Sequence, residues 1–189
     1  MILPPIILAS GSPRRREILS RLGFIFEVET ADVVELSDGM LPAELCQENA
    51  LLKAQSVADK NPDSLVIGSD TVVCLEGRIF GKPLDLAEAC SFLEQLQGKT
   101  HQVLSGMVLI CQAKKVNLSF FDATNVTFRS LSSETIKGYL QKIDPLDKAG
   151  GYAIQDHGDM IVESIDGSMD NVIGFPTERF LQELELLPL

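Results

Sequence analysis

Leu8-Ala9-Ser10-Gly11-Ser12-Pro13-Arg14-Arg15-Arg16-Glu17-Ile18-Leu19 decides how this chain is read, because its periodicity changes in the middle. Upstream, Ile6-Ile7-Leu8 is a short apolar run of the kind that forms a buried strand. Downstream, Ile18, Leu19 and Leu22 recur at helical spacing, and Gly23 can close that helix in the left-handed region. Ser12 stands at the N-cap and Pro13 at the first helical position, where a missing N–H costs nothing. The stretch predicts a strand, a Ser-Gly-Ser turn and a helix. Arginines in a first turn oppose the helix dipole, which favours carboxylates there. They form either a solvated basic face or one side of an anion site. In the second case backbone N–H groups, the Ser10 and Ser12 hydroxyls and the guanidinium forks would converge on the anion.

The rest of the chain sets the frame for that turn. Its 189 residues, 45% hydrophobic and 23% charged, fit one soluble globular domain over 1–189 with a sizeable core. No apolar run approaches the ~20 residues that span a bilayer. Met1-Ile2-Leu3-Pro4-Pro5 lacks a basic n-region and a small-residue cleavage site, so a cytoplasmic protein is expected. A formal net charge of −11 argues against nucleic acid and anionic membranes as partners. A small anionic ligand would need a local cationic cluster to override that field. Cys46, Cys74, Cys90 and Cys111 form no C-x-x-C pair and read as free, buried thiols.

In order along the chain, Phe24 to Glu29 reads as a strand, Val34, Glu35 and Asp38-Gly39 as a loop, and Pro42 to Ala58 as a helix whose face includes Leu45, Leu52 and Val57. Leu65 to Gly68 reads as a short apolar strand that runs into Ser69-Asp70-Thr71-Val72-Val73, Glu76-Gly77 as a hairpin turn and Ile79-Phe80 as its return. Asp85 and Glu88 resemble a capping box ahead of a helix that buries Leu86, Ala89, Phe92, Leu93 and Leu96 and ends at Gly98. Long strands follow at His101–Gln112 and Val116–Phe128, then a helix capped by Ser132 or Ser133. Strands are expected at Tyr152–Ile154 and Met160–Ile165, and a last helix from Pro176 to about Leu187. The sum is an α/β protein: a long mixed twisted sheet flanked by helices and bent into two lobes around a cleft. Gly98-Lys99-Thr100 is no P-loop, because position 93 is Leu93 and the motif follows a helix.

Several polar residues stand where chemistry or plain structure would equally put them. Asp70, ending an apolar strand, is either an Asx-turn residue or a cleft carboxylate. Glu35 is a solvated loop carboxylate or a ligand for a hard cation. Lys53 on its helix and Lys82 in Gly81-Lys82-Pro83 read equally as solvated side chains. His101 and His157 carry no assignment.

Taken together, Ser10-Gly11-Ser12-Pro13-Arg14-Arg15 after a strand, Gly68-Ser69-Asp70-Thr71, Pro145 to Gly151, Gly151-Tyr152-Ala153-Ile154-Gln155 and Asn171 to Pro176 resemble the signatures of the Maf family of nucleoside triphosphate pyrophosphatases. The resemblance runs from Ile7 to about Leu187. It implies a Maf/ITPase-like fold around a nucleotide cleft, and an enzyme that splits dTTP, UTP and related pyrimidine nucleotides into monophosphate and pyrophosphate. It implies that Asp70 is the catalytic base and that Glu35 and Asp70 hold a divalent metal, Mg²⁺ or Mn²⁺. Ser10, Ser12, Arg14, Arg15, Lys53 and Lys82 would meet the phosphates, and Arg14, Thr71 and Gln155 would set substrate specificity. Asn171–Pro176 would serve architecture, and Asp147 could pair with a basic group. A homodimer is also implied. Two positions depart from the family pattern: Val34 replaces the first of two acidic residues, and Asp156 stands where glycine is common. The alternatives are a 7-methyl-GTP pyrophosphatase and a nucleotide-binding regulator of cell division with negligible turnover.

Overall fold

A computed structural model describes residues 3–37 and 39–188. The loop expected at Asp38 and the reading of Met1 and Ile2 lie outside these residues. The strands are β1 (Ile6–Leu8), β2 (Phe26–Val28), β3 (Leu65–Leu75), β4 (Arg78–Phe80), β5 (Thr100–Cys111), β6 (Val116–Phe128) and β7 (Val162–Asp166). The helices are α1 (Pro13–Arg21), α2 (Pro42–Ala58), α3 (Leu86–Leu96), α4 (Ser133–Leu140), α5 (Met169–Ile173) and α6 (Thr177–Leu186). The strands form one mixed sheet in the order β2-β1-β3-β5-β6-β7, with β4 paired to β3. β1 runs parallel to β2 and β3, whereas β3–β4 and β6–β7 are antiparallel.

The chain divides into two compact units. The first comprises Met1–Asp70, Ser105–Asp122 and Gly174–Leu189; the second comprises Thr71–Leu104 and Ala123–Ile173. In the first, Ile7, Ala9, Val66, Val108 and Ile110 pack against Ala50, Ala54, Val57 and Ala58 of α2. The small alanines let α2 come close to the sheet where β3 and β5 carry glycine. A Cβ on Gly68 would lie 2.3 Å from the Ala50 carbonyl oxygen, and one on Gly106 would lie 2.4 Å from that of Cys46. α2 therefore rests backbone against backbone on β3 and β5. Closing this unit, Phe180 of α6 packs edge-on against Phe175 and Phe24, at 5.2 and 5.7 Å between ring centres.

In the second unit, Ala89, Phe92, Leu93 and Leu96 of α3 and Ile136, Tyr139 and Leu140 of α4 pack with Val73, Phe80, Val103, Val126 and Phe128. Each helix start carries its expected cap: Asp85 Oδ1 accepts from Glu88 N at 2.8 Å, and Ser132 Oγ accepts from Thr135 N at 3.1 Å. Glu88 accepts from Leu84 N rather than Asp85 N, so the capping box is displaced by one residue.

Five local expectations need correction. The strand expected at Phe24–Glu29 is paired only over Phe26–Val28. Leu52 is exposed, because the buried stripe of α2 runs through Cys46, Ala50, Ala54 and Val57 and leaves Leu52 at its edge. Leu86 is exposed in the first turn of α3, ahead of the core stripe that begins at Ala89. Tyr152–Ile154 is not a strand. Its Ala153 backbone bonds to a side chain: Tyr139 Oη donates to the Ala153 carbonyl at 2.8 Å and accepts from Ala153 N at 3.0 Å. The later strand starts at Val162 because Gly158–Met160 closes a 3₁₀ turn before it. The short helix α5 had no periodic signal.

Candidate active site

The turn between β1 and α1 is built as its residues suggest. Ser12 caps α1, its Oγ accepting from Arg15 N at 3.5 Å, and Pro13 fills the first helical position. Ser10 Oγ accepts from Ser12 N at 3.3 Å and from Arg15 Nη1 at 3.1 Å. Arg15 thus folds back over the turn, and its Nε donates to the Gly174 carbonyl at 2.9 Å. Ser69 Oγ donates to that same carbonyl at 3.2 Å, tying the end of β3 to the arginine. Burial lowers the Arg15 pKa from its usual value; the nearby Asp70 charge opposes that, Arg14 adds to it and Glu35 opposes it. A guanidinium remains protonated throughout this range. Arg15 and the two carboxylates therefore sit within one electrostatic environment.

Asp70 lies in β3 and is buried. Its Oδ1 stands 2.7 Å from Lys53 Nζ, and its Oδ2 accepts from Asn49 Nδ2 at 3.3 Å. The same Lys53 Nζ lies 2.9 Å from Glu35 Oε1, so one ammonium faces two carboxylates from different segments. Asn49 holds the second segment as well: its Oδ1 accepts from Leu36 N at 2.8 Å and its Nδ2 donates to Leu36 O at 3.0 Å. Asn49 and Lys53 are one helical turn apart on α2, which puts both on the side that meets Asp70. The neighbouring Cys46 thiol is pushed up to about 12, by burial first and then by the Asp70 charge, and so is unreactive at neutral pH.

Sequence reasoning passed over Asn49. Its signal was present: Asn49 and Lys53 are polar residues four apart beside the Cys46-Ala50-Ala54 stripe, so they fall next to a buried face.

Thus Ser10, Ser12, Arg14, Arg15, Glu35, Lys53 and Asp70 all belong to the first unit, with three cations against two carboxylates. Thr71, Lys82 and Gln155 belong to the second. There, half-buried Thr71 follows Asp70 directly, and exposed Lys82 follows Gly81, whose carbonyl accepts from Gly150 N at 3.0 Å. Exposed Gln155 comes two residues after the Ala153 backbone that Tyr139 fixes. Tyr152 in that segment bonds through its hydroxyl to His101 Nε2 at 2.8 Å. Lys148 Nζ pairs with Asp147 Oδ1 at 2.7 Å, the structural partner that Asp147 was expected to find. Asn171 Nδ2 donates to Val103 O and Thr124 Oγ1 at 3.1 and 3.0 Å, which makes it a buried brace.

A hard-oxygen cation would find Glu35 and Asp70 already converging on one positive charge, and Mg²⁺ commonly takes one or two carboxylates plus phosphate oxygens. Among the described residues no group of three or more His, Cys, Asp or Glu could hold a metal by itself. The pair fits an ion that shares its ligands with a phosphate substrate.

A family model described as Maf-like protein matches residues 5–187. A protein of Akkermansia muciniphila called dTTP/UTP pyrophosphatase is 47% identical over 182 residues, covering 96% of this chain and 95% of that one. A Bacillus anthracis protein of the same name is 44% identical over 181 residues, covering 95% of this chain and 94% of its own. Among solved structures, the Staphylococcus aureus Ham1 protein superposes with a TM-score of 0.53 at 15% identity, over 95% of this chain and 99% of that one. That likeness speaks for the fold alone.

Proposed function

Because the chain belongs to the Maf family, we propose that it is a nucleoside triphosphate pyrophosphatase that hydrolyses dTTP and UTP to the monophosphate and pyrophosphate. The observation that carries this reading is the pair Asp70 and Glu35, held against one ammonium in the same unit as an arginine-bearing helix start. Relatives of that name align over nearly the whole chain, so every segment of the site lies within the aligned part.

The roles follow from position and charge. Arg14 and Arg15, with Ser10 and Ser12 at the turn, bind phosphate oxygens at a helix N-terminus, where backbone N–H groups add to the attraction. Lys53 and Lys82 supply further positive charge to the phosphates. Asp70, nearly enclosed and fixed through both oxygens, orients the attacking water and takes its proton. Glu35 and Asp70 are the residues that would hold Mg²⁺ or Mn²⁺, which when bound supplies Lewis acidity to phosphate oxygens. Arg14, Thr71 and Gln155 discriminate the base, Gln155 having both a donor and an acceptor for a pyrimidine edge. A homodimer in the cytoplasm completes the reading, supported by the family resemblance. No helix among the described residues is long and apolar enough to cross a membrane.

The test is product analysis over a nucleotide panel that includes dTTP, UTP and 7-methyl-GTP, run in ¹⁸O-water. The expected result is pyrophosphate, with label on the monophosphate from dTTP and UTP. Orthophosphate and a diphosphate as primary products would overturn the reaction class. A marked preference for 7-methyl-GTP would overturn the substrate.

A further inference from the structure

Asn49 is one of the few polar side chains fully enclosed in the first unit, at 2% exposure. An amide buried that deeply needs partners, and each of its bonds goes to the carboxylate site. Leu36, clamped through both its N–H and its carbonyl, directly follows Glu35. The remaining bond reaches Asp70 Oδ2, on the side of the carboxylate away from Lys53. The Glu35 segment belongs to no helix or strand, so sheet and helix hydrogen bonding do not fix it. Asn49 Oδ1 and Nδ2 imitate a neighbouring strand, pairing with both backbone groups of one loop residue.

We propose that Asn49 is a positioning residue of this site: its amide fixes the Glu35–Leu36 segment and Asp70 relative to each other, so that both carboxylates face one cation. The inference rests on the pyrophosphatase reading for its kinetic consequence, but not for its structural one. Nothing in the reaction requires Asn49 to touch substrate. Its effect passes through Glu35 and Asp70, as with groups that orient metal-binding or catalytic side chains elsewhere, where loss costs about 10–100-fold.

Two variants separate the bonds. Asn49→Leu keeps the volume and removes all of them. Asn49→Asp keeps an acceptor for Leu36 N–H but loses the donors and sets a like charge beside Asp70. Amide hydrogen exchange at Leu36, kcat and KM for dTTP, and far-UV circular dichroism are measured on the full chain. In Asn49→Leu, Leu36 exchange should rise about 10-fold, as for one lost hydrogen bond. Its kcat should fall about 10–100-fold while KM stays within about threefold. In Asn49→Asp, Leu36 exchange should remain near that of the parent while kcat falls at least as far. Unchanged Leu36 exchange in folded Asn49→Leu, or unchanged kcat in both variants, overturns the proposal. If Asn49→Leu does not fold, kcat in Asn49→Asp decides. If the parent protein leaves dTTP intact, the pyrophosphatase reading fails on its own and Leu36 exchange alone decides the role of Asn49.

Discussion

Lys53 Nζ stands 2.7 Å from Asp70 Oδ1 and 2.9 Å from Glu35 Oε1, so the lysine occupies the point where the two carboxylates could share a divalent cation. On the proposed reading, ammonium and metal ion would compete for that point. Removing the lysine charge leaves two facing carboxylates, and unit charges a few Å apart interact by several kcal/mol near a protein surface. Lys53→Met should therefore bind Mn²⁺, with no nucleotide present, at least ~10-fold more tightly in a calorimetric titration. Weaker or unchanged binding would remove the pair from the metal's ligand set.

Asp70→Asn keeps the size and the contacts available to an amide but takes away the proton acceptor. The variant should fold normally, as judged by circular dichroism, and lose at least ~100-fold in kcat, the low end for a missing general base. Turnover near that of the parent would place the base elsewhere.

Gln155→Ala should change base choice more than phosphate binding. Loss of one buried polar contact in the complex costs about 1–3 kcal/mol, read as a shift in the ratio of kcat/KM between dTTP and a purine nucleotide. An equal fall for every nucleotide would mean that Gln155 does not read the base.

Gly106→Ala tests the seating of α2. The new Cβ would meet the Cys46 carbonyl at 2.4 Å, so helix or strand must move. Overpacking of this kind costs about 1–3 kcal/mol in a urea unfolding curve. Since Asn49 and Lys53 ride on α2, kcat should fall with it. A surface substitution of equal destabilisation, as a control, should leave kcat alone.

His101 makes stability fall in acid. Burial drops its pKa from 6.5 to about 4, so the folded protein refuses a proton that the unfolded chain accepts. Its contribution is complete above pH 6.5 and is lost as pH falls toward about 4, by ~3 kcal/mol in all at 1.36 kcal/mol per pH unit. Unfolding midpoints measured between these limits should fall less steeply in His101→Phe than in the parent. Parallel slopes would show that His101 does not contribute.

Much of this was legible from local signals. The Ser12 cap, Pro13 and Gly23 mark both ends of α1, and Gly23 takes φ +82° where the helix stops. What stayed hidden depended on partners distant in sequence. Leu52 reads as core by composition, yet the breadth of the buried face is set by how closely α2 approaches Gly68 and Gly106. Tyr152–Ile154 has strand-forming residues, but no spacing rule shows that a tyrosine hydroxyl from α4 takes its backbone groups. Glu35, Lys53 and Asp70 were singled out as separate residues; that Lys53 pairs with both carboxylates, and that Asn49 bonds both Asp70 and the residue after Glu35, is a property of the folded chain.

The carbonyl of Gly174 receives both Arg15 Nε and Ser69 Oγ. During synthesis those donors leave the ribosome more than a hundred residues before their acceptor exists. All of Thr71–Leu104 and Ala123–Ile173 is made in the interval. The second unit can therefore be covalently complete while the first still lacks its last segment, reversing the usual N-terminal-first order. Until residue 174 is added, a nascent chain has the arginine turn but not the carbonyl to which Arg15 Nε and Ser69 Oγ donate.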